Sequence, residues 1–164
     1  MTADEQSMRR ALELARKGIG LVSPNPAVGA VVVDGGGNEV GSGTHTYEGI
    51  KHAEILALEQ AGNRARGGTL YLNLEPCSHQ GRTGPCADAI VAVGIKRIVC
   101  SMEDPNPKVA GQGFERLRTA GVQVDVGVII AGQLQIGAQT TDVSLELSER
   151  SNPHGNYRKT SQFF

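Results

Sequence analysis

His52, Glu54, Cys77 and Cys86 are the residues of this chain whose types and spacing can do chemistry. The two cysteines bracket EPCSHQGRTGPC, residues 75–86, with His79 and Arg82 between them. Thiols that close in sequence can form a disulfide, a structural zinc clip or half of a catalytic site. One imidazole and two thiolates make three good zinc ligands. A catalytic zinc keeps three protein ligands and leaves the fourth position for water, whereas a structural site usually closes all four. A nearby carboxylate that is not a ligand, here Glu54, is what a zinc enzyme needs for proton traffic.

Geometry limits how these residues can meet. Positions i and i+2 of a helix point to nearly opposite sides. His52 and Glu54 can therefore converge only beyond a helix N-terminus, where the first turn fans around the axis. Cys86 also opens a helical pattern, and there the dipole and free N–H groups favour the thiolate that binds metal. Three cysteines, an odd count, fit a reducing compartment better than a secreted disulfide scaffold.

The elements that must position these residues read as an alternation. Residues 4–17 predict a helix, with Met8, Leu12 and Ala15 on one stripe and Gly18 as its stop. SPNP (23–26) is a turn. AVGAVVV (27–33) and the segment around EVGSGTH are strands joined antiparallel through DGGGN (34–38). A helix over 52–62, a strand over 69–74 and a helix over 86–94 follow, with Pro85 suited to the first helical position. Then come a strand at 96–102, the DPNP turn (104–107), a helix at 113–121 and a strand at 122–128. Such alternation predicts an α/β layer fold. Residues 1–130 are expected to form one domain. The polar stretch 131–164 reads as a partly ordered extension containing no reductase domain, and His154 within it carries no signal.

Sixteen Lys and Arg against seventeen Asp and Glu leave a formal net charge of −1. That lacks the basic excess of phosphate-backbone binders, so no nucleic-acid partner is expected. MTADEQSMRRALELARKG carries charges where a signal peptide would be apolar. No window approaches about 18 uninterrupted apolar residues, so the expectation is a soluble, cytoplasmic protein with no membrane partner. No complete G-x-G-x-x-G or phosphate-binding loop occurs despite 22 glycines, and neither a nicotinamide nor a flavin is expected. The pairs Arg9-Arg10, Arg64 with Arg66, and Arg116 with Arg118 read as solvated helix faces. Cys100, in an apolar strand, reads as core.

The order His-x-Glu, then Pro-Cys and a second Cys, is the zinc deaminase signature, whose usual form is P-C-x-x-C. Here eight residues intervene. The longer loop LEPCSHQGRTGPC resembles that of the riboflavin-biosynthesis deaminases, which act on a diaminohydroxyphosphoribosylaminopyrimidine. The resemblance continues through SPNPAVGAVVV (23–33), the His45 segment, KHAEILAL (51–58) and EDPNPKVAGQGFERLRTAG (103–121), covering roughly residues 5–128 in order. It implies a cytidine deaminase-like three-layer α/β/α sandwich with a mixed, mostly parallel sheet of about five strands. It further implies zinc held by His52, Cys77 and Cys86, with Glu54 as the proton shuttle of a hydrolytic deamination. Substrate contacts are implied at Asn25, His45, His79, Arg82, Asp104 and Asn106. A guanidinium such as Arg82 suits a phosphate or its neighbouring hydroxyls.

Two local departures stand out: Gly84 replaces the family's usual first proline, and EGIK (48–51) replaces a glycine-rich, proline-ended segment. Many bacterial relatives continue into an NADPH-dependent reductase domain, which makes a separate reductase a candidate partner here. The family resemblance also leads one to expect a homo-oligomer. Rival readings are another zinc deaminase, acting on cytidine, guanine or tRNA adenosine, and a catalytically silent binding module. The loop length and neutral charge weigh against the first, and the intact His52, Glu54, Cys77 and Cys86 against the second. The plain alternative for Asn25, Asp104 and Asn106 is turn formation, and for His45 a surface loop position.

Overall fold

A computed structural model describes residues 1–22, 25–46, 49–81 and 83–127. Arg82 and the extension 131–164 lie outside the described residues. Helix α1 (Ala3–Gly18) starts where the sequence places Thr2 three residues before Glu5. Thr2 Oγ1 accepts the Glu5 N–H at 3.2 Å, and Glu5 Oε2 accepts the Thr2 N–H at 2.7 Å, a reciprocal cap. Next come strands β1 (Gly29–Val33) and β2 (Glu39–Thr44), helix α2 (Ala53–Ala61) and strand β3 (Thr69–Leu72). Helix α3 (Cys86–Val93), strand β4 (Arg97–Cys100), helix α4 (Gln112–Thr119) and strand β5 (Gln123–Val126) complete the order.

The strands form one sheet in the order β2-β1-β3-β4-β5. β1 is antiparallel to both its neighbours, while β3 with β4 and β4 with β5 are parallel. Only β1 therefore runs against the other strands, which makes the sheet mixed and mostly parallel, as expected. Alternate side chains point to opposite faces of a strand. Ala30, Val32, Leu70, Leu72, Ile98 and Cys100 enter the larger core beneath α2, α3 and α4. Val31, Tyr71 and Val99 meet Met8, Ala11, Leu12 and Leu14 of α1. Those two faces give the three layers, and Cys100 is a core residue as read. Leu70, Leu72 and Ile98 are fully buried, each contributing about 1.5–3 kcal/mol on removal from water.

Two details fix the elements that carry the site. Helix α2 lies close on β2 because Gly41 and Gly43 have no side chain; a Cβ at either would collide with the backbone of Ala57 or Ala53. The entry to β1 is held by the buried Asn73. Its Oδ1 accepts the Gly29 N–H and its Nδ2 donates to the Ala27 carbonyl, both at 2.9 Å.

Several boundaries differ from the sequence reading. A 3₁₀ turn, Gly62–Ala65, follows α2, where only a glycine stop was expected. Pro85 is the N-cap of α3 rather than its first helical residue, with an extended ψ of 131°. The arginines read as solvated faces have partners in part: Arg116 Nε lies 2.6 Å from Asp88 Oδ1, and its Nη1 donates to the Ser78 carbonyl at 2.8 Å. Arg116 thus ties α4 to α3 and to the base of the cysteine loop.

Candidate active site

Because β2, β3 and β4 end at one rim of the sheet and α2, α3 and α4 begin there, the loops after the strands and the helix starts converge. Ligand sites of α/β sheets form at such a rim, where helix N-termini also face inward. His52 is the N-cap of α2, and Cys86 is the first residue of α3. Cys77 follows β3 after a short bent segment, residues 73–76.

His52 Nδ1 lies 3.2 Å from Cys86 Sγ and 3.7 Å from Cys77 Sγ. The three ligand atoms all fall within 4.8 Å of one another. Around a tetrahedral zinc, with bonds of about 2.3 Å to sulfur and about 2.05 Å to nitrogen, an N–S edge spans about 3.6 Å. The observed separations bracket that edge, so the donor set fits zinc in both type and spacing. All three cysteines are free thiols, which disposes of the disulfide alternative for Cys77 and Cys86.

Electrostatics favour the same assignment. The Cys86 backbone N–H donates to Cys77 Sγ at 3.2 Å. The benefit of the α3 start therefore reaches Cys77, not only the Cys86 side chain as the sequence suggested. Hydrogen bonds from Cys86, assisted by His52, outweigh burial and bring the Cys77 thiol down to about 4. The Cys86 thiol is pushed the other way, by its hydrogen bond with Cys77, by burial and by the charge of Glu54. Binding a divalent cation would displace the thiol protons of the pair. The hydrogen bond with Cys77 raises the His52 imidazole against the effect of its burial.

Glu54 is 4% exposed. Burial raises its carboxyl above the usual carboxylate range, with the His52 charge and a hydrogen bond from Cys86 opposing. A buried carboxyl raised in this way, beside a three-donor metal set, is equipped to take up and release protons.

The remaining expected residues are unevenly gathered. His45 is buried, and its ring stacks edge-on to His52 with centroids 5.6 Å apart. Its Nδ1 lies 3.0 Å from the Lys51 carbonyl, to which a ring N–H can donate, and its Nε2 lies 3.4 Å from Asn25 Nδ2. His45 is thus not a surface residue, and it steadies the peptide that carries His52. His79 is half-buried. Burial raises the half-buried Asp104, chiefly, while a hydrogen bond from the Asn106 N–H opposes. Asn106 is exposed, and its Oδ1 accepts the Lys108 N–H at 3.1 Å. Both side chains therefore build the DPNP turn.

Sequence reasoning passed over Asn73 and Glu75. Glu75 is a buried carboxylate directly before Pro76-Cys77, and its position at the end of an apolar strand is the signal that could have found it.

Residues 1–102 match the model of the cytidine and deoxycytidylate deaminase zinc-binding region. The riboflavin biosynthesis protein RibD of Synechocystis sp. is 56% identical over 128 residues, 78% of this chain and 34% of the relative. The chain thus spans about a third of the curated relatives it matches. The solved RibD of Acinetobacter baumannii, form 1, is 41% identical with a TM-score of 0.76, over 90% of this chain and 38% of that one. A Thermotoga maritima structure described as a diaminohydroxyphosphoribosylaminopyrimidine deaminase/5-amino-6-(5-phosphoribosylamino)uracil reductase gives 40% and 0.77, over 91% and 42%. Over residues 1–102, which supply four of the five strands and the three ligand atoms, then, this chain belongs to the cytidine and deoxycytidylate deaminase zinc-binding family.

Proposed function

We propose that the protein is a zinc-dependent hydrolytic deaminase, removing an exocyclic amino group from a phosphoribosylamino-substituted diaminopyrimidinone and releasing ammonia. The observation that carries the reading is the buried Glu54 carboxyl, hydrogen-bonded to Cys86 of the His52, Cys77 and Cys86 donor group. Those three residues would hold zinc, which when bound supplies the Lewis acidity that makes water nucleophilic near neutral pH. Glu54 does the proton work. Its carboxylate accepts a proton from the attacking water and then delivers protons to the ring nitrogen and the departing amine. Water and a C–NH₂ group become a carbonyl and ammonia, with no change of oxidation state. Burial keeps bulk water from replacing Glu54 in that relay.

The substrate assignment rests on the long cysteine loop, on the placing of Asn25, His45, His79 and Asp104, and on the similarity to RibD proteins. Arg82 and Asn106 complete the proposed substrate contacts. We read residues 1–130 as the deaminase domain. Because the Thermotoga relative's description joins a deaminase to a uracil reductase, a reductase consuming the product is the partner this reading calls for. A cytoplasmic homo-oligomer is the expected setting. The three free thiols suit a reducing compartment, and no described helix is long and apolar enough to cross a membrane. Sedimentation checks the oligomer.

Ammonia release, measured in parallel on the phosphoribosyl pyrimidine, cytidine and guanine with zinc-loaded protein, tests the assignment. Turnover of the first alone is expected. Release from cytidine alone would overturn the substrate. A zinc-loaded protein inactive on all three would favour the binding module.

A further inference from the structure

Glu75, at the join of β3 and the cysteine loop, is 6% exposed, and both its carboxylate oxygens are spent on backbone donors. Oε2 accepts from the Asp104 N–H at 3.0 Å and the Gly111 N–H at 2.9 Å. Oε1 accepts from the Gly113 N–H at 2.8 Å and the Phe114 N–H at 3.3 Å. The Glu75 N–H in turn donates to the Met102 carbonyl at 3.1 Å. A single residue, two positions before a metal ligand, thus grips the segment 102–114 from its start to the first turn of α4. The contact is close because Gly113 lacks a side chain: a Cβ there would drive into the Pro76 carbonyl and the Glu75 side chain. A carboxylate at a helix start is favoured by the dipole and by the unpaired N–H groups of that turn.

The gripped segment carries Asp104 and leads into α4, whose Arg116 donates to the Ser78 carbonyl of the cysteine loop at 2.8 Å. The loop that begins at Cys77 and the loop after β4 are therefore set relative to each other through the Glu75 carboxylate. We propose that Glu75 is a positioning residue for substrate recognition, fixing the Asp104 loop against the cysteine loop while touching neither metal nor reacting atoms. This rests on the deaminase reading above.

Glu75→Gln tests it, because the amide nitrogen is a donor facing donors and can satisfy at most one pair of the four N–H groups. Lost charge-assisted bonds are expected to raise KM for the phosphoribosyl pyrimidine about tenfold or more, with kcat reduced less than about threefold. Zinc content should stay at the wild-type level. Amide exchange should speed up by about tenfold at Asp104, Gly111, Gly113 and Phe114, and not at Leu70 to Leu72. Glu75→Asp keeps the charge but is one methylene short, so its KM and exchange rates should fall between the two; it carries the same comparison if the Gln variant does not fold. An unchanged KM despite faster exchange would overturn the proposal, as would unaltered exchange or a fall in zinc and kcat at constant KM. Failure of both variants to fold would make Glu75 a determinant of the fold and equally overturn it. A wild-type protein without turnover would defeat the deaminase reading instead, and the exchange pattern would still decide whether Glu75 anchors the loop.

Discussion

Glu54→Gln is the sharpest perturbation of the chemistry, since glutamine keeps the shape of the side chain but removes its charge and its ability to titrate. General acid–base groups contribute about 10²–10⁴ in rate. Glu54 is 4% exposed, so solvent has little access to stand in for it, and the loss belongs in the upper half of that range. A fall in kcat of about 10³–10⁴ corresponds to about 4–5.5 kcal/mol of barrier. The metal should be kept. The charge of Glu54 is one of the causes that push the Cys86 thiol up, so removing it eases deprotonation, and zinc uptake below neutrality should be at least as good as in the wild type. The assay is ammonia release at saturating substrate together with zinc content by elemental analysis on the same preparation. A kcat within about tenfold of wild type at full zinc occupancy would refute Glu54 as the proton carrier. An inactive variant that had lost its zinc would show that the carboxylate supports the metal and would leave the shuttle without support.

Asn73→Ala strips partners from the buried Gly29 N–H and Ala27 carbonyl. At about 1–3 kcal/mol for each orphaned group, partly offset by relaxation, the loss of stability in urea unfolding should be about 2–4 kcal/mol. A loss below about 1 kcal/mol would show that water fills both roles. Asp4, held by Arg97 at 2.9 and 2.8 Å and by the Tyr71 hydroxyl at 2.7 Å, sits below its ordinary value of 3.8, the Arg97 hydrogen bonds being the main cause. A depressed carboxylate adds stability in full above that value and loses it as pH falls through the folded one. The Tm of Asp4→Asn should therefore lie below wild type near neutrality, and the two should converge as the pH falls below 3.8 and through the depressed folded value. Curves that stay parallel would show the network to be energetically silent.

The chemistry was legible because its parts are local. His52 and Cys86 each stand beside a helix start that the apolar pattern marks, and a residue in that position can only point past the end of its helix. The apolar runs GAVVV, TLYL and RIVC marked three strands, and the structure divides their side chains between the two cores. Contacts across long stretches of chain were hidden. Glu75 meets donors 29 to 39 residues away, and Asn73 meets acceptors and donors 44 and 46 residues away. No spacing rule encodes those distances. Arg116 looked like one more charge on a polar face, because its partners, Ser78 and Asp88, belong to other elements. Pro85 was misplaced by one residue since its fixed φ suits a cap and a first turn alike.

The single reversed strand has a consequence for tolerance to change. Every segment that approaches the metal donors does so from one rim, so the opposite rim is left with mere connectors: the hairpin around Gly35–Gly37, the bends at Gly67 and Gly94, and the corner at Gly121. Those connectors can lengthen, drift in sequence or accept a spliced peptide without disturbing a reacting atom. Chain length is cheap at one end of this molecule and fixed at the other.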